Sequence, residues 1–254
     1  MRQRPEIPPL PAPPVEGRTH WPPPLDPWLA LASRPPGRLR PPGDGAAQAS
    51  LAMCWEGWSA ARVSAAENVI RDRLGAVSLV ALSFHGAHVV LPTASEDQAA
   101  RGATAVRTAL GGRSVWIGVG WSPQADVRHG RRMAHDVLAL VCGLRLPPGV
   151  YRLGDIPMEY ASAQIPAVRE MMSTVAARVI GEPHLHGTLE ALVDARGNRS
   201  RAAKALFIHR STIDYRLERI RTLTGHDPTQ PQGLQFLRTA MALQRLRRPP
   251  APLV

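Results

Sequence analysis

From about residue 58 the apolar positions repeat with a helical period, then a strand period, then a helical one again. In "WSAARVSAAENVIRDRL" (58–74), Ala61, Ala65, Val69 and Ile70 fall near one helical face. "AVSLVALSFHGAHVVLP" (76–92) reads as two β-rich runs around His85-Gly86, a hairpin. "SEDQAARGATAVRTAL" (95–110) is a helix opened by Ser95 with Gln98 three residues on, a capping-box pattern. "RSVWIGVGW" (113–121) is a strand, "DVRHGRRMAHDVLALVCGL" (126–144) a helix ending near Gly143, and "GVYRLGDI" (149–156) a short strand. The succession helix, hairpin, helix, strand, helix, strand predicts an α+β sandwich with helices on one face of an antiparallel sheet.

Residues 157–183 predict one or two bridging helices that end at Gly181 and Pro183. Four helical patterns follow, at about 184–195, 199–206, 210–223 and 231–247. The second and third carry the densest signal. Gly197 ends one helix and Asn198 can cap the next. Ala202 and Ala203 are small enough for a second helix to cross closely, as a helix-turn-helix requires. Leu206, Phe207 and Ile208 form an apolar turn expected to plug the gap, and His209 or Ser211 can cap the helix beyond it. At 100° per residue, Ile213, Leu217 and Ile220 make one buried stripe. The opposite face carries Ser211, Tyr215, Arg219 and Thr222, flanked by Thr212 and Arg216. Hydroxyl, phenol and guanidinium groups suit base edges and phosphates. Arg199, Arg201, Lys204 and Arg210 on the adjacent elements could hold the phosphate backbone. Asp214 adds a negative charge and is expected at the edge or paired with Arg210, four residues before it.

Charge sharpens this picture by where it sits. The chain of 254 residues has a net charge of +11, and residues 184–254 hold 12 Lys+Arg against 5 Asp+Glu. Residues 51–183 hold 13 against 11, so the basic excess lies in the last quarter, where a nucleic-acid module would be. The preference for Arg over Lys is less telling, because Lys204 is the single lysine of the chain and the Ala-, Arg- and Pro-rich composition points to GC-rich coding. Residues 1–50 hold 14 of the 26 prolines, which predicts a disordered, partly polyproline-II leader, with Trp21 and Trp28 able to dock elsewhere.

"GNRSRAAKALFIHRSTIDYRLERIRTLTG" (197–225) resembles the C-terminal helix-turn-helix of PucR-type regulators, the purine-catabolism and sugar-diacid (CdaR-like) transcription factors. The matching elements are Asn198, Ser200, Ala202, Ala203, Leu206, "IHRST", "YRL", Ile220 and "LTG"; "DPTQPQGLQFLRTAMALQRL" (227–246) resembles the family's closing helix. The resemblance implies a bacterial DNA-binding transcriptional regulator whose third helix enters the major groove of double-stranded DNA. Residues 58–156 resemble the degenerate GGDEF-like domain that precedes this module in the same family, with "VWIGVGWS" as the matching strand. A diguanylate cyclase needs carboxylates at a Gly-rich hairpin to hold Mg²⁺. The hairpin here, "LSFHGAHVV", has neither Asp nor Glu, so no catalysis is expected. Family members often carry a further sensory domain where this chain has its Pro-rich leader, which leaves a small-molecule effector open.

The expected organisation is a disordered leader (1–50), a degenerate GGDEF-like α/β sandwich (55–156), a helical linker (157–183) and an all-α helix-turn-helix domain (184–248). Expected partners are DNA and a second copy of the chain, because one helix-turn-helix reads only a half-site. No cofactor or metal site is expected. His184 and His186 do not share a helical face, His129 and His135 lie six apart, and His85 and His88 read as solvated turn residues. Cys54 and Cys142 are too few for a disulfide framework; Cys142 reads as core, Cys54 as a residue near a linker. With no secretory signal and no apolar run of membrane length, a cytoplasmic protein without membrane association is expected. A second reading is a non-catalytic nucleotide-binding or protein-interaction module with a helical tail.

Overall fold

The structure, a computed structural model, describes residues 47–56, 58–75, 79–83, 85–123 and 126–247. The expected leader, with Trp21 and Trp28, lies outside the described residues except at its end. There the chain is already in the sheet: β1 is Gln48–Trp55, buried at every position. Helix α1 (Ala60–Leu74), the hairpin β2 (Leu79–Ser83) and β3 (Gly86–Pro92), α2 (Glu96–Ala109), β4 (Val115–Ser122), α3 (Val127–Gly143) and β5 (Val150–Tyr151) follow. The sheet order is β2-β3-β1-β4-β5, so the strand not anticipated from sequence is the central one. "QASLAMCW" escapes a periodicity search for a physical reason. Both faces of β1 are covered, which removes the alternation, and Gln, Ala, Ser and Met are not strand formers.

The fold is α+β, with two corrections to the expected sandwich. The sheet is mixed, because β5 runs parallel to β4 while every other pair is antiparallel. Helices also cover both faces. Leu51, Met53, Val89, Ile117 and Val119 pack against Ile70 of α1 and Ala99, Ala103 and Val106 of α2. Ala52, Cys54 and Trp116 point the other way, into Ala134, Val137, Leu138 and Val141 of α3. In α1 the buried residues are Ala66 and Ile70; Ala61 and Ala65 are exposed. Alanine carries too little apolar surface to fix a helix's orientation, and Ile70 decides it. The predicted α2 cap is present. The Ser95 hydroxyl accepts from the Gln98 amide at 3.2 Å, and Gln98 Oε1 accepts from the amide of Ala94.

Helix α3 lies unusually close to β4. A Cβ on Gly118 would stand 2.3 Å from the Ala134 carbonyl oxygen, and one on Gly120 would stand 2.0 Å from that of Gly130. The GxG spacing of "WIGVGW" puts both glycines on the face toward α3, where backbone meets backbone. Strand β5 is shorter than predicted. After Tyr151 the Asp155 carboxylate accepts from the Arg152 amide at 2.8 Å and turns the chain into a 3-10 turn at Leu153–Asp155.

Beyond it come α4 (Pro157–Gln164), α5 (Pro166–Ile180), α6 (Pro183–Asp194), α7 (Arg199–Ala205), α8 (Arg210–Thr224) and α9 (Pro231–Arg247). Pro166 separates α4 from α5. The segment expected as a bridge is part of the core: Met172, Ala176 and Val179 of α5 share one apolar cluster with α3, α6, α8 and α9. Ala242 of α9 sits against Gly143. Arg145, in a left-handed conformation (φ +57°), ends α3 and reaches Glu190 at 3.4 Å and Asp194 at 3.5 Å on α6. Arg245 pairs with Glu190 at 2.7 Å and donates to the Gly143 carbonyl at 2.6 Å. The C-terminal end of α3, where the helix dipole favours cations, is thereby tied to α6 and α9.

Replacing Gly120 by Ala should cost about 3 kcal/mol or more, since the added methyl meets backbone that cannot rotate away. A urea denaturation midpoint measures it. An unchanged midpoint would show that α3 seats less closely than described.

Candidate nucleic-acid interface

The interface is built from three short devices. At the end of α6, Gly197 (φ +80°) returns its amide to the Leu192 carbonyl at 2.9 Å, and Asn198 Oδ1 accepts from the Arg201 amide at 3.0 Å to open α7. Ala202 and Ala203 are buried and let α8 cross α7 closely. In the turn, the Ile208 amide returns to the Ala203 carbonyl and the Phe207 amide to that of Lys204. Phe207 takes the left-handed position (φ +55°) that usually falls to glycine. Its side chain is 91% exposed, so it does not plug the turn as expected; Leu206 and Ile208 are half-buried. His209 is the cap of α8: its Nδ1 takes the Ser211 amide at 3.3 Å and lies 2.8 Å from the Ser211 hydroxyl.

Helix α8 buries Ile213, Leu217 and Ile220. That fixes its outer face as predicted: Ser211, Tyr215, Arg219 and Thr222 are exposed and Thr212 half-exposed, with Tyr215 70% exposed. Gly225 (φ +76°) closes the helix through the Arg221 carbonyl. Arg216 is half-buried and donates to the hydroxyl of buried Thr188 at 3.3 Å, so it braces α8 against α6. Glu218 is fully exposed and held below the usual carboxylate range, first by its hydrogen bonds from Arg221.

The cations divide into two groups. Arg199 pairs with Asp214 at 3.1 Å, and Arg210 approaches the same carboxylate at 3.9 Å. The Arg210 pair follows from helical spacing, whereas the Arg199 pair joins α7 to α8 and has no local sequence signal. The side chains of Arg201, Lys204, Tyr215 and Arg219 are exposed and make no hydrogen bond or ion pair among the described residues. Desolvation by a ligand would therefore break no internal contact of theirs.

Other candidate chemistry settles differently from expectation. His88 is half-buried, not a solvated turn residue; burial, then Arg131 and His135, push its pKa down to about 4. Cys54 lies in the core with Cys142. His186 approaches Glu190 at 3.4 Å within α6. No group of three or more His, Cys, Asp or Glu able to hold a metal occurs among the described residues.

Residues 185–243 match the PucR C-terminal helix-turn-helix domain family. The chain is 43% identical over 67 residues to uncharacterised proteins of Mycobacterium bovis and Mycobacterium tuberculosis, covering 26% of this chain and 16% of theirs. The purine catabolism regulatory protein of Bacillus subtilis is 28% identical over 101 residues, 38% of this chain and 19% of that protein. The matches thus span less than a fifth of the length of these relatives. Among solved structures, the regulator of polyketide synthase expression from Bifidobacterium adolescentis aligns over 81% of this chain and 82% of its own, at 19% identity and a TM-score of 0.36. The C-terminal unit is a PucR-type helix-turn-helix domain.

The turn yields a stability test. A left-handed L-residue costs roughly 1–2 kcal/mol, against roughly 0.5–1 kcal/mol for the greater unfolded-state freedom of glycine. Phe207→Gly should therefore raise stability by about 0.5–1 kcal/mol, read as an increased urea midpoint. A loss of stability would show that the exposed ring is held by contacts this geometry lacks.

Proposed function

We propose that the chain is a DNA-binding transcriptional regulator in which α8 enters the major groove. The observation that carries this reading is the outer face of α8. It is rich in hydroxyl, phenol and guanidinium groups, projects opposite the Ile213/Leu217/Ile220 stripe, and lies within a PucR-type helix-turn-helix domain. Ser211, Thr212, Tyr215 and Arg219 meet base edges. Arg201 and Lys204 neutralise phosphates, joined by Arg199 and Arg210 at the flank held by Asp214. The sheet unit is a degenerate GGDEF-like domain without catalytic activity, since its β2–β3 hairpin carries no carboxylate to hold a metal under a triphosphate. No helix among the described residues is long and apolar enough to cross a membrane.

Two copies act together, because two-fold proteins match palindromic sites. The self-contact lies on α4, α5 and the residue between them, where Met158, Ile165 and Met171 are exposed at 73%, 51% and 49%. Outside the helix-turn-helix turn and α8, these are the large hydrophobic side chains most open to water among the described residues.

Arg219→Ala or Tyr215→Ala should relax sequence preference at a loss of about 1–3 kcal/mol. Arg201→Ala should weaken binding to all sequences alike and reduce the salt slope by about one. Fluorescence anisotropy with genomic fragments at several salt concentrations separates the two. Unchanged affinity and preference in Arg219→Ala would mean that another face of α8 is presented.

Met171→Glu places a charge in the proposed self-contact and should shift the sedimentation equilibrium toward monomer. A dimer unaffected by Met171→Glu, Met158→Glu and Ile165→Glu together would move the contact elsewhere.

A further inference from the structure

The chain has two cysteines, on elements 88 residues apart in sequence, and the fold brings them together. Cys54 is the penultimate residue of β1 and Cys142 lies in the last turn of α3; their sulfurs are 3.7 Å apart. Both are free thiols and both are buried, at 0% and 3% exposure, beside Trp116, Leu138 and Val141. A disulfide requires about 2.05 Å between sulfurs, so bond formation needs an approach of about 1.7 Å. Cys54 is paired with Gly86 and Trp116 on both sides, so the approach falls to Cys142 in the last turn of α3.

We propose that Cys54 and Cys142 form a redox-responsive dithiol that hydrogen peroxide closes into an intrachain disulfide. One sulfur attacks a peroxide oxygen, the O–O bond breaks, and a sulfenic acid and one water form. The second sulfur then attacks the sulfenic sulfur and releases its hydroxyl as a second water. Two electrons pass from the sulfurs to the peroxide, and both thiol protons end in water. Burial keeps the pair reduced under mild conditions: the Cys54 thiol is pushed well above its ordinary value by desolvation first, then by Cys142. The reaction therefore proceeds through local opening of the α3 end and is slow for a peroxide sensor.

The consequence follows from what lies next in the chain. The carbonyls of Gly143 and Leu144 receive Arg245 and Arg238, and Arg145 holds Glu190 and Asp194. Drawing Cys142 toward β1 moves the anchor to which α6 and α9 are tied. That second step, a change in DNA affinity, rests on the function proposed above; the thiol chemistry does not.

The full chain is treated with hydrogen peroxide at a concentration that oxidises glutathione, then alkylated under denaturing conditions and weighed by mass spectrometry. The expected result is a loss of two hydrogen masses, no alkylation, a linked Cys54–Cys142 peptide, and reversal by dithiothreitol. Persistence of two alkylatable thiols, or oxidation that stops at sulfinic acid on one sulfur, overturns the site. DNA affinity should change about fivefold or more on oxidation, and not at all in a Cys54→Ala/Cys142→Ala variant. A disulfide that leaves affinity unchanged overturns the coupling to the junction. Absence of DNA binding by the reduced chain would instead overturn the proposed function, with the mass result standing apart. If the double variant does not fold, the reduced, oxidised and re-reduced native chain supplies the same comparison.

Discussion

The architecture depends on how closely α3 lies on the sheet. Two glycines of β4, 118 and 120, allow the α3 backbone to approach within distances no side chain would permit. That contact fixes where the far end of α3 emerges. From that end the chain builds outward: Ala242 packs on Gly143, Arg245 and Arg238 donate to the last carbonyls of the helix, and Arg145 reaches across to α6. The helix-turn-helix is consequently not tethered by a strand of linker. Its core and the core beneath the sheet are one apolar cluster. The half-buried ion pairs around Glu190 add geometry more than net energy, because the desolvation they require offsets much of their attraction.

Within the C-terminal unit, opposing demands are met on opposite faces of one helix. The inner face of α8 must be apolar to cross α7 and pack on α5 and α6; the outer face is polar, and its Tyr215 and Arg219 have no internal side-chain partner among the described residues. Asp214 sits at the border between them. Its carboxylate gathers Arg199 and Arg210 into one corner, whereas Arg201 and Lys204 on α7 and Arg219 on α8 have no internal side-chain partner among the described residues. The negative charge of Asp214 is thereby neutralised within the protein by Arg199 and Arg210.

Much of this was legible from residue pattern, and the failures have identifiable causes. The C-terminal helices fell within a residue or two of their predicted limits, because capping residues, glycines and the Ile213/Leu217/Ile220 period all act locally. Tertiary effects were invisible. β1 has no alternation because it is covered on both sides, and its first residues directly follow the Pro-rich stretch. The second helical layer could not be inferred without knowing that Gly118 and Gly120 face α3. Phe207 read as a turn plug because it is apolar, whereas the turn's hydrogen bonds place it in the left-handed position and aim the ring at solvent. Cys54 and Cys142 looked unrelated, since proximity across 88 residues leaves no trace in spacing.

The function proposed for this protein is the reading of duplex DNA by the outer face of α8 from two copies of the chain. Sequencing of genomic fragments captured by the full chain tests it most directly. A recurring two-fold-symmetric motif is expected, with half-sites separated by about one helical turn or a multiple of it. Fragments enriched without any shared motif, or no enrichment over a column lacking the protein, would contradict it.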